Sequence, residues 1–150
     1  MVLFKRNTKN FEKQLSTAYI ICFVGMAFHV AVLGPTLPAL AIVYGQTEVT
    51  GLSLGLVGKS VGGFCGVLSM GKILKAFPTF SNKVMFGLSV LAGICTTLVP
   101  FFAFGSKGTG GVVLFFIILF LQGFFQQMWD VGGNILLTGA WPNKKLLMYV

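Results

Sequence analysis

Residues 108–129 read GTGGVVLFFIILFLQGFFQQMW and contain no charged side chain. A helix needs about 20 mainly apolar residues to cross the hydrocarbon core of a bilayer. The first charge after this run is Asp130, beyond which the chain again lacks charge as far as residue 143. Because irregular backbone is not tolerated against lipid, the stretch predicts a transmembrane helix over about residues 111–139.

Three earlier runs of the same kind predict helices over about residues 16–43, 50–71 and 84–104. Charged residues make up 9% of the chain, against about 25% in an ordinary soluble domain. Hydrophobic residues make up 55%, and the mean hydropathy is +0.88. This composition excludes a soluble enzyme, a disordered tail and a disulfide-rich secreted domain. We expect an all-α integral membrane protein with four transmembrane helices.

The basic residues indicate how these helices are oriented. Cations cluster before the first span, between the second and third spans, and after the fourth, whereas the opposite side holds Lys107 alone. The first group comprises Lys5, Arg6, Lys9, Lys13, Lys72, Lys75, Lys83, Lys144 and Lys145. By the positive-inside rule both ends of the chain are cytoplasmic, and we expect a multi-pass protein of the plasma membrane.

The same charge pattern divides the chain into three segments. These are a basic cytoplasmic N-terminus (1–15), a transmembrane segment (16–145) and a divergent end (146–150). Because the cations lie in short clusters between uncharged runs and do not form one continuous face, no nucleic-acid partner is expected. We expect the transmembrane segment to contact the lipid bilayer.

Two of the predicted spans contain helix-breaking residues. The first span carries Gly34, Pro35 and Pro38 near its outer end, and the fourth carries Gly132 and Gly133. Proline removes a backbone donor and is expected to kink or loosen a helix. In transporters built from three-helix repeats the first and fourth spans correspond to each other, so paired interruptions point towards a binding site.

The second span carries glycines at four-residue spacing, at Gly58, Gly62 and Gly66. Small residues four apart let two helix backbones approach closely. This pattern predicts tight helix packing. The same smooth surface would also allow the helices to slide or rock during transport, and the sequence does not separate the two roles.

A polar stripe runs along the fourth span. It comprises Gln122, Gln126, Asp130, Asn134 and Thr138, each four residues after the last. Asp130 is the only acid inside a span, and a charge at that depth costs about 2.5–3.5 kcal/mol unless it faces protein or water. Amide and carboxylate oxygens at this spacing suit sugar hydroxyls or a small cation, with sodium expected at Asp130 and Asn134. The alternative role is hydrogen bonding between helices.

Two further polar residues lie inside spans. The charge of Lys59 needs a compensating group inside the membrane. The alternatives are the carboxylate of Asp130, backbone carbonyl groups, and a group on a helix outside this sequence. His29 is either a packed, hydrogen-bonded residue or part of a site. No catalytic triad, metal cluster or phosphate-binding loop is present, so we expect neither an enzyme nor a cofactor. The three cysteines are expected to be small buried apolar residues, at Cys22, Cys65 and Cys95.

Three motifs together resemble the start of a major facilitator superfamily transporter. They are Gly34-Pro35-Thr36-Leu37-Pro38, Val57-Gly58-Lys59 and Asp130-Val131-Gly132-Gly133-Asn134. The likeness covers about residues 15–145 and is closest to the branch of sodium-dependent glucose transporters and their major facilitator superfamily domain-containing relatives. Lys75 departs from the superfamily pattern, which usually has an acid at that position.

The resemblance implies twelve helices, alternating access and a central cavity lined by the first and fourth spans of each half. It implies a sugar substrate such as glucose, taken up by symport with sodium or a proton. Asp130 and Asn134 would be cavity residues, and this sequence would be a fragment that assembles with the remaining helices of a longer transporter. The alternative is a stand-alone four-helix membrane adaptor or assembly protein without transport activity.

Overall fold

The computed structural model describes residues 8–43, 50–77, 81–105 and 109–140. Every secondary-structure element in these ranges is a helix, so the prediction of an all-α protein is confirmed. The helices are α1 (Thr8–Val43), α2 (Thr50–Ala76), α3 (Ser81–Gly105) and α4 (Thr109–Ala140). The predictions for residues 1–7 and 141–150 lie outside the described ranges.

α3 begins at Ser81 and α4 at Thr109, residue types that are favoured at helix N-termini because their hydroxyl group can accept a bond from a free backbone N–H group. The end of α2 also has a local cause. Phe77 follows its last residue and precedes Pro78, and a residue before proline is disfavoured in the helical conformation. The Phe77 amide still donates to the carbonyl of Ile73 at 2.9 Å and completes the last turn.

Within the described residues, three helices are long and apolar enough to cross a membrane. The qualifying stretches are Leu52–Ala76, Ser81–Pro100 and Thr109–Thr138. In α1 the apolar stretches are shorter, at Ser16–Phe28 and Gly34–Val43. Three of the predicted spans therefore have matching helices, and the crossing by the first remains a prediction.

α1 differs from the sequence-based expectation at its start and agrees with it at its end, Val43. It begins at Thr8 and so includes residues 8–15, which the charge pattern assigned to the cytoplasmic segment. It also runs without interruption through Pro35 and Pro38. In the same way, α4 continues through Gly132 and Gly133 to Ala140. These residues do not end either helix, because membrane helices tolerate them where neighbouring groups satisfy the backbone.

α4 is the central helix of the bundle. Its most extensive contacts are with α2, followed by α3, whereas α1 makes few contacts with the other three. Two apolar clusters hold the bundle together, one at each end. The Phe115 cluster contains Leu37, Ala41, Leu52, Cys95, Val99, Phe115, Ile118 and Leu119. The Trp129 cluster contains Tyr19, Met70, Met85, Leu88, Met128 and Trp129.

Candidate functional site

Glycines bring the backbones of α2 and α4 into direct contact. A Cβ atom at Gly62 would collide with the backbone carbonyl of Phe120, and one at Gly66 with that of Phe124. From the other side, a Cβ atom at Gly123 would collide with the carbonyl of Lys59. Gly58 is nearly as restricted, since its Cβ would lie 2.9 Å from the Phe116 ring. This contact fixes α2 against the polar part of α4.

Gly132 and Gly133 also lie at helix contacts. A Cβ atom at Gly132 would collide with the Met70 side chain, and one at Gly133 would lie 3.1 Å from the Tyr19 ring. By contrast, a Cβ atom at Gly34 would meet nothing within 4 Å. The two glycines of α4 therefore make room for α1 and α2, and they do not break the helix.

The two apolar clusters are separated by a layer of polar side chains that faces a groove between α1, α3 and α4. We call this the α1/α3/α4 groove, and its volume is about 420 Å³. Its polar lining comes from α3 and α4, and its α1 side is formed by small or flexible residues. The lining residues are Cys22, Gly25, Met26, Ser89, Ala92, Gly93, Thr96, Thr97, Gln122 and Gln126.

The hydroxyl groups that line this groove donate hydrogen bonds to backbone carbonyl groups of their own helix. Ser89, Thr96 and Thr97 donate to the carbonyls four residues earlier, at 3.1, 2.9 and 2.8 Å respectively. Their oxygen atoms still have lone pairs with which to accept hydrogen bonds. One of these acceptors is used across the helix interface, where Gln122 Nε2 donates to Thr96 Oγ1 at 2.9 Å.

Both glutamines of this layer have a buried Oε1 atom that accepts no hydrogen bond from a described residue. Gln126 is only 8% exposed and, unlike Gln122, makes no hydrogen bond across the helix interface. An unsatisfied buried polar atom costs about 1–3 kcal/mol, so such atoms are rare unless a ligand or water supplies the missing partner. Gln126 also lines the α1/α3/α4 groove, so its amide group is the one that a ligand in this groove would reach.

Lys59 lies in a second groove, between α2 and α4, with a volume of about 410 Å³. We call it the Lys59 groove. Gln126 lines this groove as well and thus lies between the two. The lining residues are Leu56, Lys59, Ser60, Gly63, Phe64, Val67, Gly123, Gln126 and Gln127. Among the described residues no ion pair joins Lys59 to Asp130, so the structure does not bring these two predicted partners together.

Of the polar stripe of α4, only Gln122 and Gln126 line these grooves. Gln122 and Gln126 are buried, Asp130 is half-buried, and Asn134 is exposed. Neither Asp130 nor Asn134 lines either groove. Each four-residue step turns the stripe by about 40° around the helix, which carries its later members away from α3. The side chain of His29 lies outside the described part, although its backbone belongs to α1.

The residues predicted from the sequence do not include those of α3 that line the α1/α3/α4 groove. Ser89, Gly93 and Thr96 follow the i, i+4, i+7 spacing that places residues on one helix face, so the sequence alone indicates a face of small residues on α3. The cysteine prediction was wrong in one respect. Cys95 is buried, but Cys65 is only partly buried and Cys22 is exposed, where it lines the α1/α3/α4 groove.

In the described ranges, no three His, Cys, Asp or Glu side chains come together as a potential metal site. Compared with known proteins, the chain matches no family model, no curated protein and no solved structure.

Proposed function

We propose that this chain forms part of the solute pathway of a secondary active transporter that moves a sugar such as glucose by alternating access, with sodium as the coupling ion. The observation that carries the proposal is the polar layer between the two apolar clusters. Gln126 has a buried oxygen without a hydrogen-bond partner among the described residues, and its side chain lines a groove of about 420 Å³. Ligand pockets commonly have volumes of about 300–1,000 Å³.

The chemistry of the layer suits a polyhydroxylated solute. Gln126 and the hydroxyl oxygens of Ser89 and Thr97 are acceptors, and sugar hydroxyls are donors as well as acceptors. The weak attachment of α1 supports alternating access, because the side of the groove that α1 forms is the one held by the fewest contacts. The resemblance to major facilitator transporters supports the same function from the sequence.

Sodium coupling is assigned to Asp130. It is the one acid within the predicted spans, and Asn134 lies one turn further along α4. A carboxylate and an amide oxygen are ligands that suit a hard cation.

The test is uptake of labelled glucose by cells that express the native gene product, with and without a sodium gradient. We expect saturable uptake that sodium accelerates and that Gln126→Leu removes. Surface expression of each variant is measured in parallel. Absence of saturable glucose uptake at normal surface expression would contradict the proposed function and leave the adaptor alternative.

A further inference from the structure

The Lys59 groove contains a cation at a depth where lipid and apolar side chains would otherwise surround it. Lys59 lies about 10 Å along the helix axis from Leu52, where the apolar stretch of α2 begins. Its backbone carbonyl contacts Gly123, so α2 and α4 touch at this residue and its position is fixed by the helix crossing. The side chain is half-buried and lines the groove.

This cation lacks a compensating charge in the described part of the chain. Neither an ion pair nor a hydrogen bond joins the Lys59 side chain to another described residue. Charged residues inside a membrane are costly and pair with an opposite charge or mark a substrate pathway. The half-buried carboxylate of Asp130 lies outside this groove. A negative group must therefore come from elsewhere.

The groove also offers hydrogen-bonding groups beside the cation. Gln126 is more than nine-tenths buried, and its unpartnered Oε1 atom can accept a bond from a hydroxyl group. Gln127 contributes a second amide, while Ser60 already donates its hydroxyl hydrogen to the carbonyl of Leu56 at 3.0 Å. The chemistry thus combines one positive charge with an acceptor for a hydroxyl group.

We propose that the Lys59 groove binds the carboxylate of a hydroxylated acid of the uronate class, with Lys59 pairing the carboxylate and Gln126 accepting a ligand hydroxyl. This rests on the proposed sugar-transport function and narrows its substrate from a neutral sugar to a sugar acid. Lipid phosphate groups lie at the membrane interface, outside the apolar core, whereas Lys59 lies inside an apolar stretch. A soluble acid that enters from water therefore fits this depth better than a lipid headgroup.

The experiment compares three ligands by equilibrium binding to the protein in nanodiscs of phosphatidylcholine. The ligands are glucuronate, its uncharged methyl ester and glucose. The variants are Lys59→Gln, which removes the charge, Lys59→Arg, which keeps it, and Lys72→Gln as the matched control. Lys72 is an exposed lysine of α2 that lines neither groove. Size-exclusion profiles and melting temperatures establish that each variant is folded.

We expect glucuronate to bind the wild type about 10–100-fold more tightly than its methyl ester or glucose, since hydrogen bonds to charged groups contribute about 1.5–3 kcal/mol. Lys59→Gln should abolish this preference, whereas Lys59→Arg and Lys72→Gln should retain it. If Lys59→Gln does not fold, the comparison of glucuronate with its methyl ester in the wild type still tests whether the protein prefers a ligand with a carboxylate.

Equal affinity of the wild type for glucuronate, the methyl ester and glucose would overturn the inference and leave the sugar-transport function standing. Binding of none of the three would overturn both. A further arm adds phosphatidylglycerol to the nanodiscs. Loss of glucuronate binding there, in both the wild type and Lys59→Arg, would identify a lipid headgroup as the occupant and overturn the proposal of a soluble acid.

Discussion

Gln122 on α4 donates a hydrogen bond to Thr96 on α3 across 2.9 Å, and this bond crosses the bundle between the two apolar clusters. Gln122 is 1% exposed, so the bond is shielded from lipid and water. One turn along α4, Gln126 is also buried, and the Oε1 atoms of both glutamines accept no bond from a described residue. Gln122 joins two helices through its Nε2 atom, whereas Gln126 makes no such bond and is the glutamine proposed to bind a ligand.

The hydrogen bond to Thr96 predicts different effects for two equivalent substitutions. Gln126→Leu removes a buried unsatisfied oxygen and should raise the free energy of unfolding by about 1–3 kcal/mol, while ligand binding is lost. Gln122→Leu removes an oxygen of the same kind but also the bond between helices, worth about 0.6 kcal/mol, so it should stabilise the protein less than Gln126→Leu does. Thermal unfolding in detergent, measured together with glucose binding, checks both. A larger stabilisation by Gln122→Leu than by Gln126→Leu would argue against the assignment.

The contact between α2 and α4 makes a second prediction. Gly62→Ala and Gly123→Ala place a methyl group against a backbone carbonyl that cannot move aside, so each should destabilise the protein by about 1–3 kcal/mol. Gly87→Ala is the matched control, because its Cβ would meet nothing within 4 Å. Alanine favours helix, so this variant should be neutral or stabilised by up to about 1 kcal/mol. Equal melting temperatures for all three would contradict the described crossing.

The third prediction concerns the coupling ion. Asp130→Asn keeps the shape and a hydrogen-bonding group but removes the negative charge, so it should abolish sodium-driven accumulation of sugar more completely than sugar binding. Uptake by the native gene product is measured against sodium and proton gradients in parallel with equilibrium binding. Undiminished sodium-driven accumulation in the variant would exclude Asp130 as the coupling residue. Proton-driven, sodium-independent uptake by the wild type would identify a proton as the coupling ion.

Orientation in the membrane gives the fourth prediction. Nine loop cations are assigned to one side and Lys107 to the other, so epitope tags at residues 1 and 150 should be cytoplasmic. Antibody should reach either tag only after the plasma membrane is permeabilised, and a tag inserted beside Lys107 should be reached on intact cells. Staining of a terminal tag on intact cells is incompatible with this orientation.

Much of the architecture follows from where the charges are absent. The predicted limits 84–104 and 111–139 lie within a few residues of α3 and α4, because lipid forces uncharged runs to be helical. The first span was predicted to continue through Pro35 and Pro38 to residue 43, and α1 does so, since a helix in an apolar environment tolerates the loss of individual backbone bonds.

The site was less predictable than the fold. Gln126 was identified from the polar stripe, but the sequence does not reveal that Gln126 remains buried while Asn134 becomes exposed. That difference depends on which neighbour covers each turn of α4. The role of Thr96 also depends on a tertiary contact. Its hydroxyl oxygen links α3 to α4 because it accepts a hydrogen bond from Gln122, and the sequence does not show that the two side chains meet.

The most direct measurement of a solute site between α1, α3 and α4 uses Cys22, which lines that groove. A variant that retains Cys22 alone, made by Cys65→Ser and Cys95→Ala, is alkylated in membranes with a water-soluble thiol reagent, with and without saturating glucose. The control retains Cys65 alone, because Cys65 lines neither groove. We expect glucose to slow alkylation of Cys22, to leave that of Cys65 unchanged, and to have no effect on Cys22 after Gln126→Leu. Identical Cys22 alkylation rates with and without glucose would contradict a solute site in this groove.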